Sequence, residues 1–189
     1  MAFGLSDDDQ RFDYSEDADL QALSLPYGSG RLKMILVLPA KSSTVAALNS
    51  KLNGSWWRTL RTRMKPRAGV VEIPRFKFKT AMNLNAPLSA MGASTAFDRR
   101  RADFRDMAEA KRPADMLYIS RVFQKAEIEV NETGTIASAA TSAVTAVVGS
   151  SMQQGPPPFV FIADRPFLFA IEDGGTGTLL FIGSVQDPR

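Results

Sequence analysis

The side chains of this chain that could do chemistry are carboxylates, ammonium and guanidinium groups and hydroxyls, because histidine and cysteine are both absent. Histidine is the commonest general base and the commonest metal ligand in proteins. A Ser-His-Asp or Cys-His catalytic site is therefore impossible within these 189 residues, and a disulfide framework is excluded as well. We expect no cofactor and no metal ion.

Acidic residues are concentrated in the first 19 positions, where their carboxylates could bind a cation. They are Asp7, Asp8, Asp9, Asp13, Glu16, Asp17 and Asp19. Their order shows no ligand spacing of the kind found in calcium-binding loops. A solvated acidic edge or chain start is therefore the preferred interpretation. The same stretch lacks the apolar region of a signal peptide.

A basic segment runs from Arg58 to Lys79, and its first part falls on a predicted helix. A basic helix can bind a heparin-like polyanion. A solvated basic face explains the same residues, and the net charge of +3 is too small to imply such a partner unless the charges cluster. Polyanion binding through residues 58–79 is kept as an alternative hypothesis. We expect no nucleic-acid partner, and no membrane partner because no apolar stretch reaches the length of a transmembrane helix.

The most unusual stretch lies between Thr133 and Ala163, where no residue is charged although charged residues make up 23% of the chain. Its first half, GTIASAATSAVTAVV, is nearly all small or β-branched, whereas solvated loops are usually rich in Asp, Asn and Gly. A loop of this length without structure of its own is usually functional or disordered.

Small residues occupy every second position in this stretch: Thr135, Ala137, Ala139, Thr141, Ala143 and Thr145. The intervening positions, from Ile136 to Val144, are uncharged as well. Because successive side chains of a strand point to opposite faces, the segment could enter a crowded sheet without burying a charge. We predict an exposed loop in one state and a central strand in another.

The hydrophobic pattern around this segment predicts mostly strands. They are expected at residues 11–14, 20–25, 32–38, 70–73, 75–79, 117–130, 167–171 and 179–185, with helices at 42–52, from Ser55 onward and at 83–91. Strict alternation in residues 75–79 predicts that Phe76 and Phe78 face a core. Glycine-containing turns after Leu25 and Ile171 predict two hairpins.

Three motifs of the chain resemble the serpins, a family of serine protease inhibitors. Residues 131–141, NETGTIASAAT, resemble the serpin hinge, which has a Glu, then Gly-Thr-Glu, then a run of alanines. Residues 161–171, FIADRPFLFAI, are similar to the signature that follows the serpin reactive loop, and residues 178–188 are similar to the C-terminal strand. The resemblance extends over essentially the whole chain, but it covers only about the C-terminal half of the family's domain.

The resemblance implies an α+β fold of serpin type, of which this chain holds the C-terminal portion, mostly antiparallel β with a few short helices. It divides the chain into a β-sheet and short-helix portion (1–131), a hinge and reactive loop (132–158) and C-terminal strands (159–189). Most helices and central-sheet strands of the family's first half would lie outside these residues. We therefore expect a fragment that is not competent alone.

The resemblance also implies a protein that is not an enzyme, and it implies a mechanism of inhibition. The loop is bait for a serine protease, which becomes acylated on the cleaved loop, and the freed hinge then inserts as a strand beside residues 117–130. The implied hinge residues are Glu132, Gly134, Thr135, Ala137, Ala139 and Ala140. The family's usual spacing from Glu132 places the reactive bond at Val148-Gly149, with Met152-Gln153 as the alternative.

The partner implied by Val148 is a serine protease with a small apolar specificity pocket, of the elastase-like kind. The family resemblance implies an extracellular or cell-envelope location.

A gating pair between Arg75 and Glu132 is expected at the top of the central sheet. Gln124, which stands where many serpins have a histidine, is expected to be buried and hydrogen-bonded, because an unsatisfied buried amide costs roughly 1–3 kcal/mol.

A non-inhibitory serpin acting as a binding or chaperone-like protein is the other hypothesis. Charge, bulk or proline in the hinge would favour it, and the small residues at Thr135, Ala137 and Ala139 argue against it. Ile136 stands where the family usually has Glu, and this departure keeps the hypothesis open.

Overall fold

The computed structural model describes residues 2–5, 11–27, 30–107, 116–131 and 157–188, and for residues 2–5 only the backbone. In these ranges strands predominate over short helices, which is the α+β class predicted from the sequence. The strands are β1 (Ala2–Leu5), β2 (Arg11–Glu16), β3 (Leu20–Tyr27), β4 (Leu32–Pro39), β5 (Lys65–Pro74), β6 (Phe76–Asn83), β7 (Phe123–Val130), β8 (Phe159–Ile162), β9 (Phe167–Asp173) and β10 (Leu179–Val185). The helices are α1 (Val45–Lys51), α2 (Gly54–Arg63), α3 (Asn85–Leu88) and α4 (Ser94–Phe97), with a π-helical turn at Ser89–Ala93.

The described residues fall into two compact units. The first is formed by the Met1–Phe76 and Val130–Arg189 parts of the chain, and the second by Lys77–Glu129. The predicted three-part division has its two boundaries at residues 131/132 and 158/159. Within the segment between them, residues 132–156 lie outside the described residues, so that division stays a prediction.

The first unit is built on an eight-stranded sheet with the order β1-β5-β2-β3-β4-β9-β10, and β8 pairs with β5 off this path. The β8 pairing is parallel and sets Gly69 opposite Phe159, whereas the other pairs are antiparallel. Both predicted hairpins, β3–β4 and β9–β10, are confirmed.

The apolar run of β4 is explained by burial of that strand on both faces. Residues 34–38 are all at most 2% exposed. A strand that is covered on both faces needs a continuous apolar run instead of an alternating one. Phe76 packs against Phe167 and Phe169 of β9, with ring centroids 5.9 and 5.8 Å apart, on the side away from the two helices.

Helices α1 and α2 cover the other face of this sheet. Val45, Leu48, Trp57 and Leu60 form one buried cluster with strand residues Leu20, Ala22, Ile35, Val37, Leu168 and Ala170. Thr44 caps α1 by accepting from the Ala47 N–H, and Asn53 caps α2 by accepting from the N–H groups of Ser55 and Trp56. The second helix therefore begins at Gly54 with Asn53 as its cap, one residue before the predicted start at Ser55.

The second unit contains the paired strands β6 and β7 and the helical residues between them. The helix predicted to stop at Gly92 continues as a bent helical run to Phe97. Gly92 has a φ of 102°, a left-handed value that glycine adopts without steric cost, so the chain turns there and resumes a helix.

Two expectations about the strand before the hinge are wrong. The strand begins at Phe123, so residues 117–122 are not part of it. Gln124 is exposed, although it was expected to be buried. Gln124, Ala126, Ile128 and Val130 share one face of β7, and their burial increases toward Val130. The end that carries Gln124 is therefore the uncovered one.

Candidate functional site

The predicted hinge and reactive loop, residues 132–158, is flanked by two different strands. Val130, at the end of β7, is 5% exposed, and Phe159, at the start of β8, is 3% exposed. Both flanks are thus anchored in packed structure. Pro158 directly precedes β8 and is not part of it, since proline has no backbone N–H to donate within a sheet.

Charges of opposite sign pair across β6 and β7 on one face of their sheet. Lys77 donates to Glu129 and also pairs with Glu127 at 3.7 Å, and Lys79 pairs with Glu127 at 3.0 Å. The hydrogen bond to Glu129 raises the pKa of Lys77. On the other face, Phe76 and Phe78 are half-buried, which confirms the predicted alternation.

The start of β8 packs against β2 and β5. The rings of Phe159 and Tyr14 are stacked, with centroids 3.8 Å apart and planes inclined by 6°. A Cβ atom on Gly69 would lie only 2.4 Å from the Phe159 ring, so no larger residue fits beneath it. Phe159 is therefore enclosed between the Tyr14 ring and the bare backbone of Gly69.

Arg67 of β5 holds the backbone just before β8. Its Nε and Nη2 groups donate to the carbonyl oxygen of Pro157 at 3.1 and 2.8 Å, and its Nη1 group donates to Glu16 at 2.9 Å. The guanidinium carbon also lies 5.5 Å from the centre of the Tyr14 ring. One side chain thus joins β2, β5 and the approach to β8.

Tyr14, Glu16 and Gln21 complete this network. The Tyr14 hydroxyl donates to Glu16 at 2.7 Å, and the Gln21 amide donates to the Tyr14 oxygen at 2.8 Å and to the Val160 carbonyl at 3.0 Å. Burial raises the pKa of Tyr14 well above its usual value, and the hydrogen bond to Glu16 is the second cause that raises it. The hydrogen bond from Tyr14, followed by that from Arg67, lowers the pKa of Glu16. Glu16 is therefore ionised and Tyr14 protonated at neutral pH.

The predicted hinge residues and the predicted reactive bond lie outside the described part of the chain. They are Glu132, Gly134, Thr135, Ala137, Ala139, Ala140, Val148 and Gly149. Arg75 is described and exposed, between β5 and β6. The gating pair with Glu132 and the reactive bond therefore stay predictions.

Within the basic segment, several cations are engaged by carboxylates. Arg61 pairs with Glu172 at 3.0 Å, and Arg63 pairs with Asp17 at 3.1 Å. The latter pair, together with Glu16–Arg67, shows that the acidic stretch supplies partners to the basic one. A polyanion would have to compete with these carboxylates, which weakens the alternative hypothesis of polyanion binding.

Sequence reasoning missed the cluster around Arg67 and Tyr14. Its members occupy positions 14, 16, 21, 67, 157 and 159, and the hydrogen bond from Gln21 to Val160 spans 139 positions. Pairing of β5 with both β2 and β8 brings them together, and the sequence pattern carries no signal for that pairing.

In the described part of the chain, no helix is long and apolar enough to cross a membrane.

Comparison with known proteins identifies the family. The family model described as serpin (serine protease inhibitor) matches residues 6–188, so the chain belongs to the serpin family. An uncharacterized serpin-like protein of Methanosarcina acetivorans is 37% identical over 95% of this chain and 40% of its own length. Serine protease inhibitor 2 of Anopheles gambiae is 35% identical over 94% of this chain and 42% of its own.

The fold agrees with that assignment. The crystal structure of the thermophilic serpin tengpin in the native state matches with a TM-score of 0.77 and 27% sequence identity. The match covers 99% of this chain and 45% of tengpin. The chain therefore spans less than half the length of the relatives that it matches.

Proposed function

We propose that this chain carries the reactive-loop portion of a serpin-type inhibitor of serine proteases, which acts as a suicide substrate and not as an enzyme. The observation that supports this best is the position of the predicted hinge and reactive loop, residues 132–158, between two buried flanks, Val130 and Phe159. A segment tied at both ends can be offered to a protease while its ends stay attached to the sheets.

The reaction starts as ordinary proteolysis of the bond between Val148 and Gly149. The protease serine oxygen attacks the Val148 carbonyl, an ester forms, and the amine of Gly149 leaves with the C-terminal piece. The hinge, from Glu132 to Ala140, then adds as a strand beside β7. Small residues at alternate hinge positions favour fast insertion, because bulk or charge would slow it until the ester is hydrolysed.

Support for insertion at this place comes from β7 itself. β7 pairs with β6, and no third described strand belongs to this sheet. Ile128 and Val130 lie on the face of β7 that becomes more buried toward the hinge. A strand added here would continue the existing β6–β7 sheet. The hinge residues after Glu132 would bring uncharged side chains to both faces of the added strand.

The 189 residues taken alone are proposed to be a substrate and not an inhibitor. Insertion between two strands needs a neighbour on each side of the hinge, and the described part of this sheet supplies β7 alone for that purpose. The remaining sheet would come from the portion of the serpin domain that the longer relatives contain. An extracellular or cell-envelope location is proposed with the inhibitory function.

The experiment is digestion of the 189-residue chain with an elastase-like protease, followed by a denaturing gel and mass spectrometry. We expect cleavage without a covalent complex, and a C-terminal peptide that starts at Gly149. A V148D variant should lose this cut while M152D keeps it. The reverse pattern would move the reactive bond to Met152-Gln153.

Two outcomes would contradict the proposal. If the protease does not cut between residues 132 and 156, this segment is not protease bait. If a band of summed mass survives boiling, the chain suffices as an inhibitor by itself and the substrate interpretation is wrong. A protease whose serine nucleophile has been replaced by alanine serves as the control for both.

The alternative functions make different predictions. A non-inhibitory binding protein, favoured by Ile136 in the hinge, would be cut only as a generic substrate even with a complete serpin domain, whereas an inhibitor would then form the boiling-resistant band. A polyanion-binding module using residues 58–79 would be retained on heparin, with a retention that falls steeply as salt rises.

A further inference from the structure

The start of β8 is held by side chains from three other strands. Arg67 of β5 binds the Pro157 carbonyl twice, Gln21 of β3 binds the Val160 carbonyl, and the Tyr14 ring of β2 covers Phe159. The backbone of β8 is thus fixed on both sides of Phe159, in addition to its pairing with β5. All of these contacts lie within one compact unit.

Arginine is the residue that this geometry requires at position 67. Two N–H groups of one planar guanidinium reach the same carbonyl oxygen, while a third donates to Glu16. A lysine ammonium is a single point charge and cannot hold both partners in that fork geometry. Glu16 and the Tyr14 ring also restrict the Arg67 side chain, which is only 22% exposed.

We propose that Arg67 is a positioning residue for the reactive loop. By holding the Pro157 carbonyl, it fixes the C-terminal root of the loop, so that a protease meets a segment whose downstream end stays on the sheet. The anchoring stands on the contacts of described residues, whereas its consequence for cleavage rests on the proposed function.

The anchoring is tested by amide hydrogen exchange on the uncut 189-residue chain, in peptides that cover residues 157–163. R67M should exchange about tenfold faster than wild type in these peptides, the factor that corresponds to about 1.4 kcal/mol. R67K should also exchange faster, because it keeps the charge but loses the fork. R63M is the matched control, since Arg63 pairs with Asp17, and its exchange in these peptides should equal that of wild type.

The consequence for the loop is tested by mapping elastase-like cleavage in the same variants. Wild type should be cut mainly at Val148-Gly149, and R67M should show additional cuts between that bond and Pro157, since the root is loose. Should R67M fail to fold, R67K and E16Q provide the same comparison.

Each result bears on a different part of the proposal. Unchanged exchange in residues 157–163 of both R67M and R67K overturns the anchor. Faster exchange with an unchanged cleavage pattern overturns the positioning role. Absence of any cut between residues 132 and 156 of the wild type contradicts the proposed function instead, while the exchange measurement still decides the anchor.

Discussion

Arg61 of helix α2 and Glu172 of strand β9 form an ion pair with a distance of 3.0 Å, in which the Glu172 side chain is 1% exposed. The indole N–H of Trp57 donates to the other carboxylate oxygen of Glu172 at 3.3 Å. The Arg61 guanidinium also lies against Gly177, where a Cβ atom would come within 2.4 Å of it. One buried carboxylate thus ties a helix to the β9–β10 hairpin.

Removal of Arg61 should destabilise the fold strongly, because among the described residues it leaves the buried Glu172 carboxylate with the Trp57 indole as its side-chain partner. We expect R61M to lower the free energy of unfolding by about 3 kcal/mol, the lower end of the range for a broken buried pair. Urea denaturation measures this. R58M is the matched control on the same helix and should cost less than 1 kcal/mol, roughly the effect of a surface substitution.

The double variant R61M/E172M separates the charge effect from packing. It should be more stable than R61M, because no unpaired charge remains in the core. If E172M lowers the free energy of unfolding by the same amount in R61M as in the wild type, the two residues do not interact.

The expected gating pair between Arg75 and Glu132 can be tested without knowing the position of Glu132. We expect R75E and E132R each to destabilise the chain and the combination R75E/E132R to restore part of the loss. The coupling energy should be about 0.2–1 kcal/mol, as for partly exposed ion pairs. Strictly additive effects in denaturant unfolding would show that the two side chains do not meet.

Acid should loosen the network around Arg67 through Glu16. The folded-state pKa of Glu16 is lowered, so its contribution to stability is fully present above the ordinary value of 4.5 and is lost as the pH falls through the lowered value. The stability difference between wild type and E16Q should therefore be largest at neutral pH and should shrink below pH 4.5. Thermal unfolding as a function of pH measures it, and a difference that stays constant into strong acid contradicts this assignment.

Strand β10 should drive self-association of the 189-residue chain. It is the last strand in the sheet order, and the four residues 179–182 are each at least 38% exposed. Exposed apolar edge strands pair with other chains. The variant L180K/I182K should reduce self-association in sedimentation experiments, whereas M91K/M107K, which adds the same charge on exposed residues of the second unit, should not. If both variants reduce self-association equally, the added net charge is responsible and not the exposed edge of β10.

The sequence by itself determined the family and most of the elements. The hinge and the FIADRPFLFAI motif are contiguous and distinctive, and the local hydrophobic pattern was enough to place β3, β4, β9 and β10. It also excluded a Ser-His-Asp or Cys-His site within these 189 residues, because they contain no histidine and no cysteine. Local pattern failed at the start of β7, and the family resemblance failed at Gln124, whose burial depends on what covers the strand and not on the strand's own residues.

Only the tertiary structure decided which distant residues share a site. Pairing of β5 with both β2 and β8 brings Arg67 to Pro157, and packing of α2 on the sheet brings Arg61 to Glu172. The sequence shows that the arginines form a basic segment, but it does not show which carboxylate each of them pairs with. The partner of each charge is fixed by strand order and helix packing, because ion pairs form between neighbours in space and the sequence records only neighbours along the chain.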